Sequence, residues 1–401
     1  MRILFLSQWF QPEPFFKGLP FAKKLMAQGH QVEVLTGFPN YPGGKLYPGY
    51  GFRFFQRENM EGIRVNRVPL YPSHDQSGFR RIVNYLSFAL STLFIGPWVV
   101  RKPDVIYVFN LITLACTASL LKKIYGCKIV YDVQDLWPES VASSGMLSNA
   151  LLQKLLHRWC LWAYRRADKI AVLSPGFKQK LVARGIPEER IEVIYNWCDE
   201  TSLASIQNDR SLAGELHLED TFNVVFAGTI GIMQALDVVL NAAQICTKEM
   251  PEVRFVLVGG GVDVARLKSK AKMLHLDNVV FVPRIPISDM GKVFALADVL
   301  LVHLKDDPLF WVTIPSKTQV YMWAGLPIIM GVKGNAADLV RKAHAGLVCE
   351  PENSQSMVQA VSSLYHMNEK EREKMGMNGN AFYKEWLSSD VGTEKFLRLF
   401  S

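Results

Sequence analysis

Residues 314–317, Ile-Pro-Ser-Lys, stand directly before a helical pattern that ends at Gly325. Thr313 or Ser316 is a suitable N-cap residue for that helix. The free N–H groups at a helix start, together with the positive end of the helix dipole, attract anions. Lys317 adds a cation beside them, so the segment predicts a diphosphate-binding site.

Glycine-bearing loops follow three short apolar runs. Residues 223–228 lead into a Thr-Ile-Gly loop, residues 2–7 lead into a loop that reaches Gly18, and a third run ends in three glycines at 259–261. An apolar run, a loop and then a helical pattern are typical of the start of a doubly wound sheet. The first two of these units, more than two hundred residues apart, predict two such sheets that face a central cleft.

Further apolar runs alternate with helical patterns in both halves of the chain, which indicates parallel sheets and the α/β class. The predicted strands cover residues 31–35, 64–68, 105–109, 128–133, 169–173, 191–194, 254–258, 279–282, 299–302 and 327–330. A polar stretch at 196–221 has little periodicity. This stretch is predicted to separate two Rossmann-like domains. The first is residues 1–198, to which a helix at about 383–401 returns, and the second is residues 199–382.

Composition limits the class of protein. At 401 residues, with 49% hydrophobic and 20% charged, the chain is long enough for two packed cores. The six cysteines include no CxxC pair, which favours reduced thiols in a cytosolic protein. The first strand carries a charge where a secretory signal needs an apolar segment, so no signal peptide is expected.

Positive charge is concentrated in the first half of the chain. Residues 1–200 hold 25 Lys and Arg against 15 Asp and Glu, a net charge of +10, and the remainder is slightly negative. An anionic partner of the first half is therefore expected. No motif of a nucleic-acid-binding module is present, so a phospholipid surface or a phosphorylated acceptor is favoured over nucleic acid.

Residues 82–100 contain no charged side chain, and basic pairs flank them on both sides. Three interpretations remain open: a buried helix, a helix at the membrane interface, or, given the polar residues and the Gly-Pro break within it, a much less favoured membrane span. In the second case the flanking cations would contact lipid phosphates, and Tyr85 would add aromatic surface for a lipid acceptor. The predicted membrane and acceptor residues are Arg80, Arg81, Tyr85, Arg101 and Lys102.

Four motifs in this order, which occupy residues 40–45, 135–140, 228–237 and 314–327, resemble glycosyltransferase family 4. Within that family they are most similar to the WbuB-type branch of bacterial O-antigen and capsule enzymes. The resemblance implies the GT-B fold, a UDP-sugar donor, retention of anomeric configuration, and neither a metal nor a cofactor. The branch is associated with N-acetyl-L-fucosamine transfer to a lipid-linked saccharide on polyprenyl diphosphate, by a cytoplasmic protein peripheral to the inner face of the plasma membrane.

The chain departs from the family at charged positions of the second domain. The family's paired glutamates align with Val312 and Val320, which leaves Gln319 as the nearest polar side chain for the donor ribose. The family's loop lysine aligns with Gln234. Lys317 therefore becomes the main candidate cation for the diphosphate, with Lys17 as a second candidate.

The resemblance and the loop pattern together give a set of candidate donor-binding residues, in which the backbone of Arg284 meets the base. The set is Gly18, Gly228, Thr229, Gly231, Gln234, Gly260, Arg284, Pro315, Ser316, Lys317 and Gln319.

Glycosyl transfer places charge on the departing diphosphate, which without a metal must be met by N–H groups and a cation such as Lys317. No carboxylate nucleophile stands out in the second domain, so same-face substitution is preferred over a covalent intermediate. Glu13, Asp135 and Glu139 lie at predicted strand ends of the first domain. They are candidates to orient hydroxyl groups or to accept the proton, and each has an ordinary alternative as a helix cap or surface carboxylate.

Two other functions stay open. A non-hydrolysing UDP-sugar 2-epimerase would share the two-domain architecture, and an inactive sugar-nucleotide-binding scaffold would explain the missing glutamates. The eight histidines show no metal-ligand spacing and no Asp-x-Asp pair is present, so no metal site is expected.

Overall fold

The computed structural model describes residues 1–73, 78–143, 149–204 and 209–401. The chain divides into two compact units: unit 1 is Met1–Tyr195 with Asp390–Ser401, and unit 2 is Asn196–Ser389. The first boundary lies three residues before the predicted one, and the return to unit 1 begins at Asp390 instead of about residue 383. Tyr383 stays in unit 2 because its hydroxyl donates to Glu200 Oε1 at 2.7 Å. Acceptor binding by unit 1 and donor binding by unit 2 remain predictions.

Unit 1 is built on an eight-stranded sheet in which all neighbouring strands are parallel except the first pair, β3 and β4. The strands are β1 (Arg2–Leu6), β2 (Gln31–Gly37), β3 (Gln56–Met60), β4 (Ile63–Val68), β5 (Val105–Phe109), β6 (Lys128–Val133), β7 (Lys169–Val172) and β8 (Ile191–Val193). Their order across the sheet is β3-β4-β2-β1-β5-β6-β7-β8. The central strands are buried on both faces, as expected of apolar runs covered by helices.

The helices of unit 1 that precede β8 connect these strands. They are α1 (Leu19–Ala27), α2 (Gly78–Val99), α3 (Ala115–Tyr125), α4 (Glu139–Ser143), α5 (Ala150–Arg166) and α6 (Pro175–Ala183), with short 3-10 turns at Ile112–Leu114 and Glu188–Arg190. Helix α3 packs against both α2 and α5, so the three lie side by side.

Unit 2 is built on a six-stranded parallel sheet: β9 (Phe222–Thr229), β10 (Val253–Gly260), β11 (Val279–Val282), β12 (Val299–His303), β13 (Ile328–Gly331) and β14 (Gly346–Val348). Their order is β11-β10-β9-β12-β13-β14. The order reverses between β9 and β12, so the loops that leave these strands diverge. Ligands of open α/β sheets bind at such a switch point.

The helices of unit 2 cover both faces of its sheet. They are α7 (Glu200–Ala204), α8 (Ser211–Glu215), α9 (Asp237–Glu249), α10 (Val264–Met273), α11 (Met290–Leu296), α12 (Pro308–Trp311), α13 (Ser316–Ala324), α14 (Asn335–Lys342), α15 (Ser354–His366) and α16 (Glu369–Phe382). Short 3-10 turns lie at Ile232–Gln234 and Ile287–Asp289, and a π-helical turn at Tyr383–Leu387 follows α16. The predicted α/β class with two parallel sheets is confirmed.

Helix α17 (Ser389–Phe400) returns the chain to unit 1. The Phe396 ring lies 5.3 Å from the Phe21 ring and 5.4 Å from the Tyr107 ring, measured between centroids. Aromatic pairs at this spacing add to the burial of apolar area. This buried cluster holds the helix on the face of the sheet that α1 covers.

Helix α2 buries the polar residues Asn84 and Thr92 together with Phe88 and Ile95, and it exposes a row of other large apolar residues. Asn84 is buried, where its Nδ2 donates to the Tyr71 carbonyl at 2.6 Å, and the hydroxyls of Thr92 and Thr117 are 2.9 Å apart. The exposed side chains recur every four to seven residues: Phe79, Leu86, Leu90, Phe94 and Trp98. By length and composition alone α2 could cross a membrane, which is weak evidence.

Candidate functional site

A pocket of about 580 Å³ opens in unit 2 at the carboxyl ends of the strands, between the loop after β9 and the start of α13. Seven of the predicted donor-binding residues line it: Gly228, Thr229, Gln234, Arg284, Pro315, Ser316 and Lys317. Apolar side chains, among them Ile285, Ile287, Met290 and Phe310, form another part of its wall. The pocket thus combines a polar, amide-rich end with an apolar slot.

Glycine is required where β9 and β10 end. Gly259 has a φ of +146°, and a Cβ there would lie 1.9 Å from the carbonyl oxygen of Gly228. Gly228 has a φ of +141°, and its Cβ would lie 3.3 Å from Nζ of Lys317. A side chain at Gly259 would collide with the backbone of β9, and one at Gly228 would fill space beside the lysine.

Lys317 is the most unusual side chain of the pocket. Its Nζ is buried, lies 3.4 Å from the centroid of the Phe226 ring, and has no hydrogen-bond partner among the described residues. Burial lowers the pKa of Lys317 to about 7. A buried ammonium without a partner is unfavourable, and an anionic ligand would relieve that penalty.

The start of α13 is open toward the same pocket. Pro315 is its N-cap residue and no side chain caps the helix. The expected cap by Thr313 or Ser316 is wrong, because the Thr313 hydroxyl donates instead to the Leu309 carbonyl at 2.8 Å. An uncapped helix N-terminus beside a buried amine is a site for a phosphate or a diphosphate.

The buried amine predicts a pH-dependent stability. The pKa of Lys317 is about 7 in the folded protein and near the ordinary lysine value of 10.5 when unfolded, so the unfolded state binds more protons between these values. Stability of the wild-type protein should therefore rise with pH across that window. Lys317→Met should be more stable than wild type below pH 7, and the difference should shrink as pH rises. Ligand-free thermal melts measure it, and a pH-independent difference would contradict the assignment.

Gln234 closes the glycine loop rather than supplying charge. Its Oε1 accepts from the Gly231 amide at 3.0 Å. Its carbonyl oxygen is 2.7 Å from Nδ1 of the buried His303, whose Nε2 accepts from the Glu352 amide at 3.1 Å. The Nδ1 therefore carries the proton and donates to Gln234. His303 thus braces the loop and has a structural role.

Four predicted donor residues lie away from the pocket wall. Gln319 is 2% exposed, and its amide is satisfied when its nitrogen donates to the Ser316 and Pro315 carbonyls, each at 3.0 Å. The hypothesis that it holds the ribose is therefore wrong. Gly231 and Gly260 do not line the pocket, whereas Gly259 does, and Gly18 belongs to unit 1. Asp199, which sequence reasoning missed, is the one carboxylate among the described lining residues, and it already accepts from Ser202.

In unit 1, Asp135 is held at the end of β6 by Asn110. The Asn110 amide nitrogen donates to Asp135 Oδ2 at 2.7 Å, and its Oδ1 accepts from the amides of Gln134 and Asp135 at 3.2 and 3.0 Å. Asp135 remains exposed to solvent. The surrounding protein raises the pKa of Asp135 by desolvation, and the hydrogen bond from Asn110 opposes that rise. This carboxylate is oriented and accessible, as a proton acceptor needs to be.

The other two predicted carboxylates have structural partners. Glu13 is 1% exposed and accepts from the backbone amides of Asn40, Tyr41 and Phe10 at 2.8, 2.8 and 3.2 Å. Its predicted catalytic role is wrong, because it clamps two loops and does not face solvent. Glu139 starts α4 and pairs with Arg184, as its ordinary alternative predicts.

Lys17 also has a structural role. Its Nζ is 2.7 Å from Asp132 Oδ2, and both side chains are essentially inaccessible to solvent. Asp132 also accepts from the Tyr107 hydroxyl at 2.6 Å. Because Lys17 is fully paired inside unit 1, the hypothesis that it joins Lys317 on the diphosphate is wrong.

A row of aromatic rings lies at the carboxyl ends of the unit 1 strands, where Asp135 also lies. Trp9 is 6.2 Å from Tyr41 and 6.3 Å from Tyr85, and Tyr85 is 6.3 Å from Trp137, between ring centroids. All four rings are partly exposed. Tyr85 was predicted as an acceptor residue, but the other three come from separate loops that sequence alone does not bring together.

Comparison with known families settles the class. Residues 19–197 match the family described as glycosyl transferase 4-like domain, and residues 208–382 match glycosyl transferases group 1. The chain is a family 4 glycosyltransferase. Together the two matches span nearly the whole of both units. The predicted enzyme class is thereby confirmed.

Two relatives and one solved structure are similar to this glycosyltransferase over most of its length. It is 27% identical over 352 residues to the colanic acid biosynthesis glycosyl transferase WcaI of Escherichia coli K12, with 84% of each chain covered. It is 23% identical over 301 residues to glycosyltransferase WbjE of Pseudomonas aeruginosa, with 74% of each covered. Anabaena HepE, crystallised with UDP-glucose, superposes with a TM-score of 0.70 at 17% identity and covers 98–99% of both chains. That likeness shows the GT-B fold.

Proposed function

We propose that this glycosyltransferase moves a sugar from a UDP-sugar to a lipid-linked saccharide in the synthesis of a bacterial surface polysaccharide. The main support for binding of the UDP-sugar is the buried Lys317 amine, which has no partner among the described residues and lies beside the uncapped start of α13. The names of WcaI, which concerns colanic acid, and of the HepE complex with UDP-glucose support the same class of acceptor and donor.

In the proposed mechanism the bond between the sugar and the diphosphate breaks as the acceptor oxygen approaches the same face, so anomeric configuration is retained. Negative charge grows on the leaving diphosphate, where Lys317 and the first amides of α13 stabilise it. The acceptor proton passes to the leaving diphosphate or to Asp135. The apolar slot, with Ile287 and Met290, accommodates the uracil base beside the Arg284 backbone.

The acceptor saccharide is proposed to lie along the aromatic row of Trp9, Tyr41, Tyr85 and Trp137. Partly exposed rings present apolar area and polar edges, which suits sugar rings. Asp135 would then orient one acceptor hydroxyl. N-acetyl-L-fucosamine is the donor sugar to test first, on the strength of the resemblance to the WbuB-type branch.

The decisive experiment measures UDP release from a panel of UDP-sugars with and without a polyprenyl-diphosphate saccharide. Transfer predicts UDP release that requires the acceptor and a product enlarged by one sugar. A 2-epimerase would convert the UDP-sugar without any acceptor. A scaffold would bind UDP-sugars, as seen by thermal shift, and release nothing.

Activity is expected to survive EDTA. The described residues contain no group of three or more metal-ligating side chains, and Lys317 with the helix start can meet the diphosphate charge. The test compares initial rates before and after chelation, followed by addition of magnesium or manganese. A loss that only the added metal reverses would contradict the proposed metal-independent chemistry.

Unit 1 is proposed to associate with the inner face of the plasma membrane through α2. The outward stripe on this helix includes Phe94 and Trp98, which are 70% and 88% exposed. Such a face next to cations is typical of a helix at the membrane interface. The buried hydrogen bonds of Asn84 tie the helix to unit 1, which supports an interfacial position over a span.

Sedimentation with phosphatidylglycerol vesicles tests this position. Neutralising Arg80, Arg81, Arg101 and Lys102 together should release the protein, since each cation near an anionic surface contributes about 1 kcal/mol at low salt. Raising the salt concentration should weaken vesicle binding by the wild type until it approaches that of the variant. If both stay in the supernatant at low salt, α2 has no membrane role.

A further inference from the structure

Helix α5 carries a second outward apolar stripe. Leu151, Leu155 and Trp159 are 66%, 54% and 37% exposed and recur every four residues. The opposite side of the helix, which includes Cys160, is buried. Single exposed apolar residues are common on protein surfaces, but an aligned row on one helix marks a contact surface.

The stripe ends at a strongly basic groove of about 750 Å³ in unit 1. Its wall is formed by the last turns of α3 and α5 and by the turn before β8, and its cations are Lys122, Lys123, Arg165, Arg166 and Arg190. Only one acidic residue, Asp168, is among the described lining residues, and it pairs with Lys122 at 2.6 Å. The other four cations have no ion-pair partner in the described part of the chain.

Tryptophan joins the groove to the stripe. Trp162 lines the groove, its ring centroid is 4.9 Å from that of Trp159, and Arg166 lies over it at 5.5 Å. Cations in the last turn of a helix are favourable for the helix dipole, but that interaction does not explain an apolar stripe in line with them. Tryptophan between an apolar face and a row of cations is characteristic of the boundary between acyl chains and headgroups.

We infer that α5 and this groove form a second lipid-binding surface, in which Lys123, Arg165, Arg166 and Arg190 hold the headgroups of anionic phospholipids and the stripe lies at the acyl boundary. Helix α3 lies between α5 and α2, so the two stripes belong to one layer of helices. Charge complementarity and this continuity favour a bilayer over a protein partner. The inference extends the proposed membrane association of α2 but depends on different residues.

The test uses the full chain and vesicles of phosphatidylglycerol with phosphatidylethanolamine, with phosphatidylcholine vesicles as the uncharged comparison. The groove variant combines Lys123→Gln, Arg165→Gln and Arg166→Gln. The matched control combines Lys248→Gln, Lys272→Gln and Lys374→Gln, which removes the same charge from exposed positions of unit 2. A stripe variant combines Leu151→Ser with Leu155→Ser, and circular dichroism checks that all are folded.

The groove variant is expected to bind the anionic vesicles roughly a hundredfold more weakly, about fivefold for each cation, while the control changes little. The stripe variant should also bind more weakly. Equal binding by the groove variant and the control would overturn the inference. If the α2 variant is impaired and the groove variant is not, only the inference about α5 fails; if the wild type does not sediment at all, both fail. Loss of self-association without loss of vesicle binding in the stripe variant would instead assign α5 to contact between copies.

Discussion

Lys317→Ala should cost about 2–4 kcal/mol of transition-state stabilisation, seen as a lower kcat/KM for the UDP-sugar. The physical reason is that the chain lacks the family's loop lysine, and Gln234 at that position is bonded to the Gly231 amide. The Nζ of Lys317 is buried in the pocket, 3.3 Å from the place a Cβ on Gly228 would occupy. Lys268→Ala, an exposed lysine on α10, is the matched control.

The same variant should lose a pH dependence that the wild type shows. Because the pKa of Lys317 is about 7 without ligand and a bound diphosphate raises it, binding takes up a proton above pH 7. Affinity for UDP should therefore fall as pH rises from 7, and Lys317→Ala should lack that fall. Titration calorimetry in buffers of different ionisation enthalpy measures the proton directly. Near-wild-type turnover in Lys317→Ala would falsify the assignment.

Asp135→Asn should lower kcat by a factor of roughly 10²–10⁴, the range for loss of a positioned proton acceptor. The substitution keeps the size of the side chain and its contact with Asn110, so the fold should be unaffected. Because desolvation raises the pKa of Asp135, wild-type activity should fall as pH drops through that raised value. The pH–rate profile of Asp135→Asn should lose this acidic limb.

Glu139→Gln is the matched control for Asp135→Asn, since it removes a nearby carboxylate that pairs with Arg184. We expect kcat close to wild type in this variant. Asn110→Ala should keep the acidic limb but shift it to higher pH, because the hydrogen bond from Asn110 lowers the pKa of Asp135. If Glu139→Gln loses as much activity as Asp135→Asn, the loss is not specific to Asp135 and its assignment as the proton acceptor is contradicted.

Apolar periodicity predicted twelve of the fourteen strands. The two it missed are edge strands, where apolar periodicity is weakest. β3 has the sequence Gln-Arg-Glu-Asn-Met and alternates between partly and fully exposed residues, and β14 is three residues long. An edge strand needs only one neighbour and does not require two buried faces.

Six of the seven predicted residues that line the unit 2 pocket lie in two short segments, 228–234 and 315–317, whose loop and helix patterns are local. The unit 1 site was predicted less well because its contacts join distant segments. Glu13 accepts hydrogen bonds from amides 27 and 28 residues further along the chain, and no local pattern signals those contacts. Asn110 carried a usable signal: an asparagine directly after a strand often adopts a positive φ, and here its φ is 56°.

Helix α17 has a consequence for how the polypeptide acquires its structure during synthesis. Phe396 packs against Phe21 and Tyr107, yet a ribosome translates it only after every residue of unit 2. The aromatic face of the nascent first half therefore stays uncovered until the second half has been synthesised. That face is covered only after unit 2 has been translated, so a ribosome stalled before Phe396 would leave an exposed aromatic surface in the first half of the chain.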